Sequence, residues 1–273
     1  MPEVIVSWGA LILVGVGLAI LIVAISVRAK RQRKHRQEKG LQWLTCLRSL
    51  LSHIQKHRGK TTGYLNGGSH LMGEIEGLQR SVSRDFSSVV SIDDGIDANS
   101  RWCGITQHWA RLAGNFTGHS PEHNLSQHNM LIKNVLYLID DLAQECDLLL
   151  LKNKKDKPLH LYWRELLSAA EYIGQARAIG VGVSTAAHCD SVSRIRLNYL
   201  CQQIEGNTEK LWREIGKDPT QATQVKELLG CIKDKLVLDT PSIPPGEFFN
   251  IATEALDSLL DQFDRLVKEQ QWV

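Results

Sequence analysis

Proline is scarce and unevenly placed: 7 residues in 273, four of them between 219 and 245. Because proline breaks helices, most of the chain is free to stay helical. Runs that alternate apolar and polar residues are few, which excludes an extensive β-sheet. The expected fold class is all-α. There is no CxxC pair and no short repeat among the six cysteines Cys46, Cys103, Cys146, Cys189, Cys201 and Cys231. Free thiols in a reducing compartment and three disulfides in an exported domain both remain open. No H-E-x-x-H occurs; His119, His123 and His128 with Glu122 do not have that spacing, and no metal site is expected. Gly59-Lys60-Thr61 ends like a P-loop, but Ile54 stands where the first glycine should be and a helical pattern, not a strand, precedes it. Cys189 beside His188 is mere sequence adjacency, and no nucleophile, base or carboxylate pair stands in a catalytic setting. An enzyme is not expected, nor a cofactor.

Charge is absent from residues 4 to 27, a run long enough to span a hydrocarbon core of about 30 Å. A cleaved signal peptide would begin with positive charge and end at small residues, whereas Glu3 is the sole early charge here. One transmembrane helix within residues 1–28 is expected. Arg28, Lys30, Arg31, Arg33, Lys34, Arg36 and Lys39 follow it, so residues 29–40 form a basic juxtamembrane linker. The positive-inside rule then places the C-terminal part in the cytoplasm and the short N-terminus outside an inner or plasma membrane. Through residue 39 there are 7 Lys+Arg and 2 Asp+Glu, leaving 25 against 28 for the remainder. The excess of positive charge is therefore juxtamembrane. Without stacking aromatics nearby it fits lipid headgroups and not nucleic acid.

Helices are expected near 41–66, 69–90, 97–113, 124–152, 159–182, 190–215, 220–237 and 246–270, separated by Asn66-Gly67-Gly68-Ser69, Gly114 to Pro121, Lys152 to Pro158 and Thr240 to Gly246. Eight helices suggest two four-helix bundles in a domain of residues 41–271. A duplication is visible as well. Ile132, Val135, Leu136, Ile139 and Leu142 match Leu256, Leu259, Leu260, Phe263 and Leu266 at an offset of 124, and Arg58 lies 119 residues before Arg177.

Leu44, Leu47, Leu51 and Ile54 mark one helix face, and Arg58 continues it inward. A buried guanidinium needs an anion: a carboxylate such as Asp85, Glu165 or Glu171, or a bound oxyanion. Gly59 and Gly63 thin the helix on one side. His57 is expected on the exposed face, the other reading being a pH-dependent second charge. Arg80, Arg84, Arg194 and Arg196 are expected to be solvated.

Gln55-x-x-Arg58-Gly59-x-x-x-Gly63-x-Leu65 resembles the first-helix signature of the nitrate- and nitrite-sensing (NIT) domain family. Gly174-Gln175-Ala176-Arg177-Ala178-x-Gly180 looks like the family's second arginine motif, and Phe248-Phe249-x-x-Ala252-Thr253-x-Ala255-Leu256-Asp257 like its closing helix. All three occur in family order, across roughly residues 42 to 270. His57 replaces the family's Glu or Arg, and Thr61 or Thr62 its Ser. The resemblance implies an all-helical sensor in which Arg58 and Arg177 hold nitrate or nitrite, with His57, Gly59, Thr62 and Gly63 lining the approach. Nitrate is planar, and a guanidinium fork matches it better than an ammonium. No kinase, RNA-binding or chemotaxis-type module is expected after residue 270, so output would pass to a signalling partner protein or through a homodimer. The alternative is a membrane-anchored scaffold that has lost the ligand.

Overall fold

The computed structural model describes residues 8–271, with side-chain environments for residues 11–270. The start of the expected membrane segment and the outward N-terminus, residues 1–7, lie outside the described residues. Helix α1 runs unbroken from Trp8 to Leu65, 58 residues or about 87 Å. Residues 29–40 are thus not an irregular connector: the apolar segment, the basic stretch and the first domain helix are one rod. By length and composition α1 can cross a membrane, and none of its apolar window is buried in the protein.

Seven more helices follow: α2 (Met72–Ile92), α3 (Ser100–Asn115), α4 (Pro121–Glu145), α5 (Leu167–Ala186), α6 (Ser191–Ile215), α7 (Pro219–Cys231) and α8 (Pro245–Gln271). Their starts obey local chemistry. Asn99 accepts hydrogen bonds from the N–H groups of Arg101 and Trp102, and Asp190 from those of Val192 and Ser193. Pro121 and Pro219 each occupy a first turn, where a missing N–H costs nothing. Among the described residues the extended structure is one isolated bridge, Lys152 to Pro158.

The C-terminal part of α1 packs on α2 and α4, and α3 on α4; likewise α5 packs on α6 and α8, and α7 on α8. These are two four-helix bundles of one design, meeting where α1 touches α8 and α4 touches α5. The helix starts keep the register of the duplication. Met72 and Ser191 are 119 residues apart, as are Ser100 and Pro219, while Pro121 and Pro245 are 124 apart. Leu44, Leu47, Leu51 and Ile54 are buried, as their spacing predicts. The fourth helix ends at Glu145, earlier than the expected 152. Asp147 takes a left-handed conformation (φ 57°), and its carboxylate accepts hydrogen bonds from Arg36 on α1. All six cysteines are unpaired thiols.

Candidate functional site

The three motifs converge where the bundles meet. Arg58 on α1 is 1% exposed and points across the junction at α5. Its Nη1 donates to Glu171 Oε1 at 2.5 Å and to Asn129 Oδ1, on α4, at 2.7 Å. The guanidinium occupies the space left by a glycine at residue 174: a Cβ there would stand 2.8 Å from Arg58 Nη2, and the guanidinium would have to shift. Gly174 therefore belongs to the site as a gap. Six residues along α5 from its first carboxylate, Arg177 donates from Nη1 to Thr253 Oγ1 on α8 at 2.8 Å and lies 5.0 Å over the Phe249 ring. Gly180, next on α5, leaves room for the Phe248 ring of the closing helix.

The duplication extends to these contacts. Arg58 and Arg177 are 119 residues apart on the first helix of each half, and their acceptors Asn129 and Thr253 are 124 apart on the fourth. Electrostatically the halves differ. The position 119 residues before Glu171 is Ser52, whose hydroxyl is bonded to Arg48. Arg58 thus has a carboxylate partner, whereas among the described residues no carboxylate lies within ion-pair distance of Arg177. Burial first, and then the charge of Arg58, push the Arg177 guanidinium below its ordinary value, with Asp257 and Glu171 pulling the other way.

Glu171, 4% exposed, sits inside a ring of donors. Oε1 accepts from Arg58 and from Gln175 Nε2 at 2.8 Å; Oε2 accepts from Gln55 Nε2 at 2.8 Å. A planar, singly charged group with oxygens spread in one plane is held by a guanidinium and two amides. That is also the donor set a nitrate ion would need. Of the carboxylates considered for Arg58, Glu171 is the partner; Asp85 bonds Ser49 and His53, and Glu165 bonds Lys210.

The other expected ligand residues lie elsewhere. Gly59 faces solvent, Gly63 packs under Leu71, and Thr62 accepts from Asn124 on α4 at 3.1 Å. His57 is not exposed. It is fully buried inside the first bundle, Nδ1 2.8 Å from His128 Nε2, with the Trp109 and Phe116 rings edge-on. Burial lowers the His57 pKa to about 4, and burial followed by the neighbouring His57 lowers that of His128. Both are neutral at ordinary pH, so His57 supplies no second positive charge. No group of three metal-ligating side chains occurs among the described residues. Of the surface arginines, Arg194 bonds Asp239 and Arg84 bonds Ser81.

The arrangement defines a class: paired four-helix bundles with an arginine from each half at their junction. The solved structure of the NasR transcription antiterminator shares the fold, with a TM-score of 0.67 over 92% of this chain and 73% of that chain, at 17% identity. Neither the family models nor the curated proteins gave a match to the sequence.

Proposed function

We propose that this chain is a membrane-anchored sensor of nitrate, nitrite or a similar small oxyanion. The single observation that carries the reading is Arg177: a largely buried guanidinium with no carboxylate partner among the described residues, near a second arginine whose own partner, Glu171, sits in a ring of donors suited to a planar anion. The sequence resemblance to the NIT family and the fold shared with the NasR antiterminator point the same way.

The mechanism is a competition. A small oxyanion entering beside Arg177 competes with Glu171 for the Arg58 guanidinium and the amides of Gln55 and Gln175. Binding then exchanges an internal ion pair for a bridge between α1, α5 and α8. Only the difference in affinity between the two arrangements shifts their populations, and a coupling of about 1–3 kcal/mol suffices. Because α1 is continuous, Arg58 is tied to Val27, the end of the apolar run, by about 46 Å of helix. A displacement at the junction reaches the membrane through that rod, and passes to a signalling partner protein or a second copy of the chain. The uncharged, unburied start of α1 and the basic residues after it support a single pass with the bundles in the cytoplasm.

One observation favours a second reading. The Arg58–Glu171 pair is complete without a ligand, as in a scaffold that kept the fold and lost sensing. Calorimetric titration of the full chain with nitrate and nitrite separates them. A sensor gives saturable heat that Arg177→Gln abolishes; a scaffold gives none at millimolar anion.

A further inference from the structure

The direction of each helix fixes which loops face the membrane. Asp147, after α4, is paired with Arg36, and Gly40 of α1 packs against Cys146 and Leu148. On α8, Asp264 meets Arg48 and Glu269 meets Lys154, so α8 also descends toward the apolar end of α1. The α4–α5 loop, the α6–α7 turn and the end of α8 therefore share the membrane-proximal end of the domain.

Those three segments enclose a groove of about 530 Å³. Lys154, Lys155, Lys217 and Arg265 are on its rim, and Tyr162 and Leu266 line it. Two carboxylates, Glu269 at 4.0 Å from Lys154 and Asp218 capping α7 by accepting from Gln221 N–H, offset half of the four positive charges and leave the groove net positive. No described carboxylate lies within ion-pair distance of Lys155, Lys217 or Arg265. The lysines are presented by a fixed turn: Asn153 Oδ1 accepts from the N–H groups of Lys155 and Lys157, and Asn153 Nδ2 donates to Tyr162 Oη. This basic groove stands out in a domain whose overall balance beyond residue 39 is acidic. On the other side of the same end, the α2–α3 loop carries Asp93, Asp94 and Asp97.

Distance suits a lipid surface. Arg36, paired with Asp147 at the head of the α4–α5 loop, lies nine residues beyond Val27, about 14 Å along the rod, whereas Arg48, paired with Asp264 beside Arg265, lies about 32 Å beyond it, so the loop lysines form the membrane-facing edge of the groove. The polar layer of a bilayer leaflet is about 5–8 Å deep, and an anionic surface acts over a further Debye length of about 8 Å. A helix tilt of about 20° is ordinary. We propose that the basic edge of this groove is drawn to an anionic bilayer surface, so that the second bundle leans toward the headgroups with the acidic loop tilted away. This rests on the membrane-anchored reading above, and not on anion binding at the bundle junction.

The test is site-resolved lysine acetylation of the full chain in nanodiscs of phosphatidylcholine alone, or with about one-third phosphatidylglycerol. A lysine near an anionic leaflet gains roughly fivefold in association. Acetylation of Lys154, Lys155, Lys157 and Lys217 should slow by about that factor in anionic discs, with Lys235 unchanged. In Lys155→Gln/Lys217→Gln/Arg265→Gln, three exposed changes that leave the core alone, the slowing at Lys154 and Lys157 should disappear. Equal rates in both discs, with the chain embedded, would overturn the lipid contact alone. Slowing by inorganic phosphate in neutral discs would assign the groove to a soluble ligand and overturn the lipid. Failure of the chain to enter discs would overturn the anchor and this contact together.

Discussion

Arg58 Nη1 and Glu171 Oε1 lie 2.5 Å apart, buried in the junction between two bundles, and among the described residues no second carboxylate serves Arg177 beside them. One fold repeated twice has placed two guanidinium groups close together but has given only one of them a counter-ion.

Removing the internal carboxylate should expose that imbalance. Glu171→Ala leaves Arg58 buried and unpaired, which costs about 3–5 kcal/mol. The vacated space is planar and lined by Gln55, Gln175 and Arg58, so added nitrate should recover part of the loss. Urea unfolding with and without nitrate measures this. The double variant Arg58→Met/Glu171→Leu should cost much less than Glu171→Ala, since no charge is stranded.

Two glycines hold the motifs together by leaving space. Gly174→Ala places a methyl against Arg58 Nη2, and Gly180→Ala drives one into the Phe248 ring. Each should destabilise by about 1–3 kcal/mol. Gly59→Ala, on the open face of α1, should be neutral or slightly stabilising, because nothing lies near its missing Cβ and alanine favours helix. Thermal unfolding of the three variants orders them.

The buried histidine pair should make the protein acid-sensitive. The folded His57 pKa, about 4, is below the unfolded value of 6.5, so the unfolded chain takes up protons first as pH falls. Stability is full above pH 6.5 and declines on the way to pH 4. His57 alone accounts for about 2 kcal/mol between pH 7 and pH 5, and His128 adds in the same direction. Urea midpoints across that range should fall, and His57→Phe/His128→Leu should flatten the profile.

Much of the architecture was legible because helix periodicity and scarce proline are local signals. The inward turn of Arg58 followed from Leu47, Leu51 and Ile54. The 119- and 124-residue offsets even contain the acceptors Asn129 and Thr253, which pair in the same register. His57 was misplaced because a single apolar stripe implies one buried face, whereas α1 is covered by α2 and α4 on one side and by α8 on another. The end of α4 was missed for a tertiary reason: Cys146-Asp147-Leu148-Leu149 reads as helix until Arg36, 111 residues away, holds Asp147 in a left-handed turn.

The most direct measurement is the unfolding temperature of the full chain against nitrate and nitrite concentration, run in parallel on Arg177→Gln. A ligand that binds the folded form alone raises the midpoint with concentration. The expected result is a saturable rise in the wild-type chain that is absent in the variant. No rise at millimolar anion, or an equal rise in both proteins, would contradict oxyanion sensing at this junction.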